Sequence, residues 1–139
     1  METDFLVIGS GMAGLTYVIK VAEKFPTRKI IVVTKGNEGD SNTNYAQGGV
    51  AIVQNETDSF EKHVQDTLIA GDGLCDEEVV RMVISESPKC LREMVEWGVK
   101  FDTDKKGEYD LGKEGGHSEN RVVHHKDFTG FEISRALTS

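Results

Sequence analysis

Phe5-Leu6-Val7-Ile8-Gly9-Ser10-Gly11-Met12-Ala13-Gly14 is the stretch that decides the fold. Four apolar residues run without a gap into a G-x-G-x-x-G triplet, which opens into a helix-like stretch from Met12 to Phe25. Strand, tight turn and helix in that order make the geometry that holds a dinucleotide pyrophosphate. Gly9 serves the turn's backbone angles, Gly11 lets phosphates approach the main chain, and Gly14 allows helix and strand to pack closely. The unpaired N–H groups at the helix start then face negative charge.

Beyond the helix, Lys29-Ile30-Ile31-Val32-Val33-Thr34 is a continuous branched run and reads as a buried parallel strand. A site for NAD places a carboxylate about 20 residues beyond the glycines to hold the ribose hydroxyls. Thr34-Lys35 stand there instead, and no acid comes before Glu38. Lys35 is open to two readings, a contact to phosphate or ribose oxygens and a solvated strand end.

Glycine clusters divide the rest of the chain. Gly36 to Gly49 is a long polar connection of the kind that carries function in a compact domain. Val50 to Val53 reads as a short strand, and a helix from Ser59 to Ala70 opens at Asp58-Ser59-Phe60-Glu61 and stops at Gly71. Asp76-Glu77-Glu78 opens a further helix with acids in its first turn. Pro88 suits a first helical position, so another helix is expected from Pro88 to Trp97, with Leu91, Met94, Val95 and Trp97 as packing residues. The segment 102–120 reads as loop, Arg121 to His124 as a strand, and Phe131 to Leu137 as a final helix after Thr129-Gly130. Adjacent His124 and His125 would point to opposite faces of a strand, and metal ligation by them is not expected.

The chain has 139 residues, 37% hydrophobic and 29% charged, the balance of one ordinary soluble domain. A net charge of −8 with scattered Lys and Arg argues against a nucleic-acid surface. The opening apolar run is four residues long and follows Glu2 and Asp4, which fits neither a signal peptide nor a membrane span. Cys75 and Cys90 form no C-x-x-C pair, so both are expected as packing residues in a reduced, cytoplasmic setting. Two convincing strands and two short candidates fall short of a complete doubly wound sheet, and the chain is expected to be the N-terminal part of a larger domain.

Ser41-Asn42-Thr43-Asn44-Tyr45-Ala46-Gln47-Gly48-Gly49-Val50-Ala51 resembles the flavin-contacting loop of the succinate dehydrogenase, fumarate reductase and L-aspartate oxidase family. The resemblance extends through Ile8 to Leu15, Val33 to Gly36, His63 to Gly71 and Glu114-Gly115-Gly116-His117-Ser118, and runs in unbroken order from Asp4 to the end. Within the family it is strongest to the L-aspartate oxidase branch. It implies an α/β, Rossmann-like FAD-binding domain, incomplete over residues 1–139, whose remaining flavin strands, capping domain and C-terminal helices would lie beyond Ser139. By the same resemblance Gly9, Ser10, Gly11, Met12, Ala13 and Gly14 would border the pyrophosphate, and Lys35 would sit at the adenosine end. Asn42, Thr43, Asn44, Tyr45, Ala46, Gln47, Gly48 and Gly49 would wrap the isoalloxazine. The diglycine suits close approach to a flat ring, and Asn42, Asn44 and Gln47 offer polar groups to its edge. Met12 stands where the family often has alanine, so its side chain must point away from the phosphates.

Relatives that bond the flavin covalently carry histidine where this chain has Asn42, which implies non-covalent FAD. Glu114 stands where dicarboxylate enzymes of the family carry an uncharged residue, and succinate and fumarate have no cation. L-Aspartate has an ammonium that a partly buried carboxylate can pair with. The implied reaction is oxidation of L-aspartate to iminoaspartate with oxygen or fumarate as acceptor, leading toward quinolinate and NAD and linked to quinolinate synthase. The substrate's carboxylate-binding and proton-transfer residues would lie beyond Ser139, so no catalytic residue is assigned within the chain, and residues 1–139 alone are expected to be inactive. His117 has two readings, orienting the loop or approaching substrate, beside an ordinary structural role. The alternatives are a fumarate reductase or succinate dehydrogenase flavoprotein, and a non-catalytic nucleotide-binding fragment.

Overall fold

A computed structural model describes residues 2–37 and 39–139. Strand β1 (Phe5–Ile8), helix α1 (Met12–Lys24) and strand β2 (Ile30–Val33) form a βαβ unit, with β1 and β2 parallel and Phe5 opposite Ile30. The ladder continues one step past the strand, where the Gly9 N–H donates to the Val33 carbonyl at 2.8 Å. The strand–turn–helix reading therefore holds, with the helix one residue shorter than expected.

Burial of β2 does not hold. Val32 and Val33 are 38% and 48% exposed, and Leu6 and Ile8 on β1 are 58% and 83% exposed. Branched apolar runs do mark strands covered on both faces, but among the described residues this sheet has two strands and a helix layer on one side only.

The long connection after β2 is not all loop. Helix α2 (Asn42–Tyr45) forms inside it, capped by the Ser41 hydroxyl, which accepts from the Asn44 N–H. Strands β3 (Val50–Ala51) and β4 (Val122–Val123) pair antiparallel as a second sheet, in place of further parallel strands. Bridges between Thr103 and Tyr109 and between Gly112 and Val122 give order to the expected loop 102–120.

Helix α3 (Phe60–Ala70) starts at Ser59, whose hydroxyl accepts from the Lys62 N–H. Helix α4 (Glu77–Glu96) is the largest departure from expectation, since it runs through Pro88 without a break. Proline removes the N–H that would bond the carbonyl four residues back and normally costs about 3 kcal/mol. Here that carbonyl, on Ile84, accepts from the Ser87 hydroxyl at 2.7 Å. The helix also buries Ile84 before the proline and Leu91 and Met94 after it, so one apolar face spans the interruption.

Helix α5 (Thr129–Leu137) begins two residues earlier than expected and is buried along most of its length. Its Ile133, Ala136 and Leu137 join Leu15, Ile52, Leu91, Met94 and Val123 in the core. Cys75 is half-buried against Gly71, while Cys90 is exposed on α4 and is not a packing residue.

Candidate functional site

The glycine turn has the geometry that the sequence demands. Gly9 has φ +104°, and a side chain on Gly14 would run into the Gly9 carbonyl. Gly11 is the N-cap of α1 and brings no capping side chain, and the first backbone bond of the helix is from the Leu15 N–H to the Gly11 carbonyl at 3.0 Å. Polar backbone at the start of α1 is thus left for an anion, and space is present on both flanks of the turn. A cleft of about 860 Å³ is lined by Gly9, Gly11, Met12, Ala13, Gly14 and Thr43. A second of about 300 Å³ is lined by Gly9, Ser10, Thr34, Lys35, Asp40 and Ser41. A dinucleotide fits these features, because the diphosphate needs a strained glycine turn, uncapped N–H groups and unobstructed backbone.

Met12 contributes its place in the turn and no free donor. Its N–H donates to the Thr43 hydroxyl at 3.1 Å, and its partly buried side chain packs against the core. Ser10 is buried, with its hydroxyl bonded to that of Thr34 at 3.2 Å. Lys35 is exposed at the end of β2.

The asparagine-rich segment lies directly against this turn. Thr43 joins it to α1, and the Ala46 carbonyl accepts from the Gly130 N–H of α5 at 2.9 Å. Gly130 has no room for a side chain, since a Cβ would run into the Thr43 carbonyl. Asn42 and Tyr45 are exposed, Asn44 is half-buried, and the Tyr45 hydroxyl donates to Asp40 at 2.9 Å.

Gln47, Gly48 and Gly49 open onto a separate groove of about 460 Å³, shared with Lys113, Glu114 and His124. Gly49 is fixed by space, because a Cβ there would run into the Val123 carbonyl. A Cβ on Gly48 would lie 3.9 Å from Glu114 Oε1, so the carboxylate and the diglycine face one another. Glu114 is exposed here and not partly buried, since the turn that carries it lies along α3 and the groove stays open on its far side. Lys113 does not neutralise it, as its ammonium donates to the Ser118 carbonyl at 3.0 Å. Among the described residues no cation lies within ion-pair distance of Glu114.

His117 bonds back onto its own turn. Its Nδ1 accepts from the Glu114 N–H at 3.4 Å, while its backbone N–H donates to the Glu114 carbonyl at 3.2 Å. His63 is buried and edge-on to His117, with ring centroids 6.0 Å apart. Burial first, and then the charge of Arg121, hold the His63 pKa below its usual value. His124 and His125 do not diverge as strand neighbours would. Strand β4 ends at Val123, and both Nδ1 atoms stand 3.4 and 3.5 Å from the same Asp102 carboxylate.

Sequence reasoning missed a fully buried charged group. Arg121 is fully buried and binds Asp58 with two nitrogens, each at 2.9 Å, and Asp66 at 2.7 Å. The signal was present in a lone arginine at the head of an apolar strand, with two acids bracketing the start and middle of α3.

The FAD binding domain family matches residues 4–139. An L-aspartate oxidase of Nicotiana tabacum, named as chloroplastic, is 52% identical over 134 residues, which cover 96% of this chain and 20% of the relative. The L-aspartate oxidase of Vibrio cholerae is 44% identical over 98% of this chain and 26% of its own length. Among solved structures, the FrdA chain of E. coli quinol fumarate reductase superposes with a TM-score of 0.92 at 32% identity, covering 99% of this chain and 24% of that one. The Mycobacterium smegmatis Sdh1 complex gives 0.87 at 36% identity, over 97% and 23%. The chain therefore spans about a quarter or less of the length of these proteins. No helix among the described residues is long and apolar enough to cross a membrane. With its glycine turn, its flavin-loop sequence and this match over nearly its whole length, the chain belongs to the FAD binding domain family, and FAD is its cofactor.

Proposed function

We propose that the protein is an FAD-dependent oxidoreductase that converts L-aspartate to iminoaspartate. The observation that carries this reading is the unpaired Glu114 carboxylate facing Gly48 across the groove. Bound FAD would supply the hydride acceptor. The chain's own residues bind and orient. Gly9 to Gly14 and Lys35 hold the phosphate and adenosine portions, and Asn42 to Gly49 hold the ring. Glu114 takes the substrate ammonium, placing the α-carbon over the diglycine, and a charge-assisted bond of this kind is worth more than a neutral one. In the balanced reaction aspartate gives up two electrons and two protons, and oxygen becomes hydrogen peroxide or fumarate becomes succinate.

Similarity to the named L-aspartate oxidases supports this assignment, at 44% to 52% identity in the two relatives above. The exposed Asn42 offers an amide and no imidazole, which supports dissociable FAD. On this reading the product feeds quinolinate formation, quinolinate synthase is the functional partner, and the setting is cytoplasmic. Residues 1–139 by themselves are expected to show no turnover, because substrate carboxylate binding and proton transfer belong to other parts of the protein. A second reading, a fumarate reductase or succinate dehydrogenase flavoprotein, draws on the close superposition with fumarate reductase. Glu114 favours the first reading, since succinate and fumarate carry no cation for its unpaired carboxylate to pair with.

Replacing Glu114 by Gln in the full-length protein tests the assignment. Aspartate-dependent peroxide release should fall far more than fumarate reduction by an artificial electron donor. Equal loss of both activities would overturn it.

A further inference from the structure

Glu114 lies on a turn that leaves β4 at the Gly112–Val122 bridge and docks on α3, and the contacts that tie it to α3 converge on one carboxylate oxygen. Asp66 Oδ2 accepts from the Ser118 N–H at 2.7 Å, from the Ser118 hydroxyl at 2.8 Å and from Arg121 Nη1 at 2.7 Å. Arg121 is held in turn by the buried carboxylate of Asp58 through two bonds. Its backbone joins the other wall of the groove, as its N–H donates to the Gly112 carbonyl at 3.0 Å and its carbonyl accepts from the Ile52 N–H at 2.7 Å. The turn is closed at both ends, by Lys113 on the Ser118 carbonyl and by His117 on the Glu114 N–H. Gly116 serves the turn itself, with a φ of +86° in the left-handed region that favours glycine.

We infer that Asp66, backed by the buried Arg121–Asp58 pair, is a positioning residue that holds the Ser118 end of the turn and so fixes the Glu114 carboxylate opposite Gly48. The inference rests on the proposed pairing of Glu114 with the substrate ammonium. A glutamate on a free glycine-rich turn would spend its interaction energy on being ordered at binding. A turn already fixed to a rigid helix avoids that loss, and three donors on one oxygen make the anchor a strong one. Asp66 is not among the residues that line the groove. Its effect must therefore pass through Glu114, and this gives it a signature that a merely structural residue lacks.

The test is a double-mutant cycle on the full-length, FAD-loaded enzyme with Asp66→Asn, Glu114→Gln and the pair together. Asp66→Asn should raise KM for aspartate by about ten-fold, the loss expected for a charged hydrogen bond, while FAD content and fumarate reduction stay at the parent level. In the Glu114→Gln background the same change should have no further effect on KM for aspartate. An unchanged KM, or an equal rise in both backgrounds, would overturn the positioning role. Should the Asn variant fail to fold, Ser118→Ala removes one of the three donors and keeps the Arg121 pair, and it should show the same dependence on Glu114 at a smaller fold-change. Independence from Glu114 overturns the inference there too. If Glu114→Gln alone leaves aspartate kinetics untouched, the proposed function fails first and this inference with it; a silent Asp66 beside a sensitive Glu114 removes this inference alone.

Discussion

The Met12 N–H donates to the Thr43 hydroxyl at 3.1 Å, and this bond joins the phosphate turn to the proposed flavin loop across 31 residues of sequence. It fixes the spacing between the two regions expected to hold opposite ends of one dinucleotide. Losing such a bond is worth about 1 kcal/mol, or roughly five-fold in affinity. Thr43→Val should weaken FAD binding by that order in a fluorescence titration, and Thr43→Ser should not. Equal affinities for the two variants would show that the hydroxyl has no such role.

Gly130 is the second fastening of the same loop. A methyl group there would press on the carbonyls of Thr43 and Ala46, and overpacking of this kind costs about 1–3 kcal/mol. Gly130→Ala should lower the urea midpoint of unfolding by a corresponding amount. Gly115→Ala is the control, since nothing lies within 4 Å of its added Cβ, and it should stay near the parent midpoint. Indistinguishable midpoints for the two variants would count against tight docking of the loop on α5.

Much of this was legible in the sequence because it obeys backbone rules. Gly9 and Gly14 are dictated by turn angles and close packing, and both turn out as read. The βαβ unit arises from two apolar runs around a periodic segment. What escaped depends on long-range pairing. Nothing local tells that Ser87 will take up the carbonyl released by Pro88, so the break expected there becomes one continuous α4. The Arg121–Asp58–Asp66 cluster joins residues 55 and 63 positions apart, a distance at which spacing rules say nothing. The divergence expected of His124 and His125 failed because a strand of two residues ends before it reaches them.

Stability should depend on acid in two stages. Burial, and after it the Arg121 charge, lower the His63 pKa from its usual 6.5, so its contribution is complete above 6.5 and is lost as pH falls through the depressed folded value. For Asp66, burial alone would raise the pKa, but the Ser118 bonds and Arg121 outweigh it and leave the carboxyl below its ordinary 3.8. Its contribution is complete above 3.8 and disappears as pH falls through the lower folded value. Thermal melts should show a decline beginning near pH 6.5 that His63→Gln removes, followed by a steeper one below 3.8. A parent and variant with the same profile above pH 5 would contradict the first stage.

Asn42 cannot provide the ring nitrogen that a covalent flavin bond would use. Acid precipitation of the full-length protein should leave all yellow colour in the supernatant. Flavin retained in the washed pellet would contradict dissociable binding.

A crystal structure of the full-length protein loaded with FAD tests the central claim most directly. Density for one extended dinucleotide should run from the Gly9–Gly14 turn, past Thr43, to a flavin ring lying against Gln47, Gly48 and Gly49 with Glu114 beside it. A ring lying elsewhere, with the Gln47–Gly49 groove empty, would contradict the account.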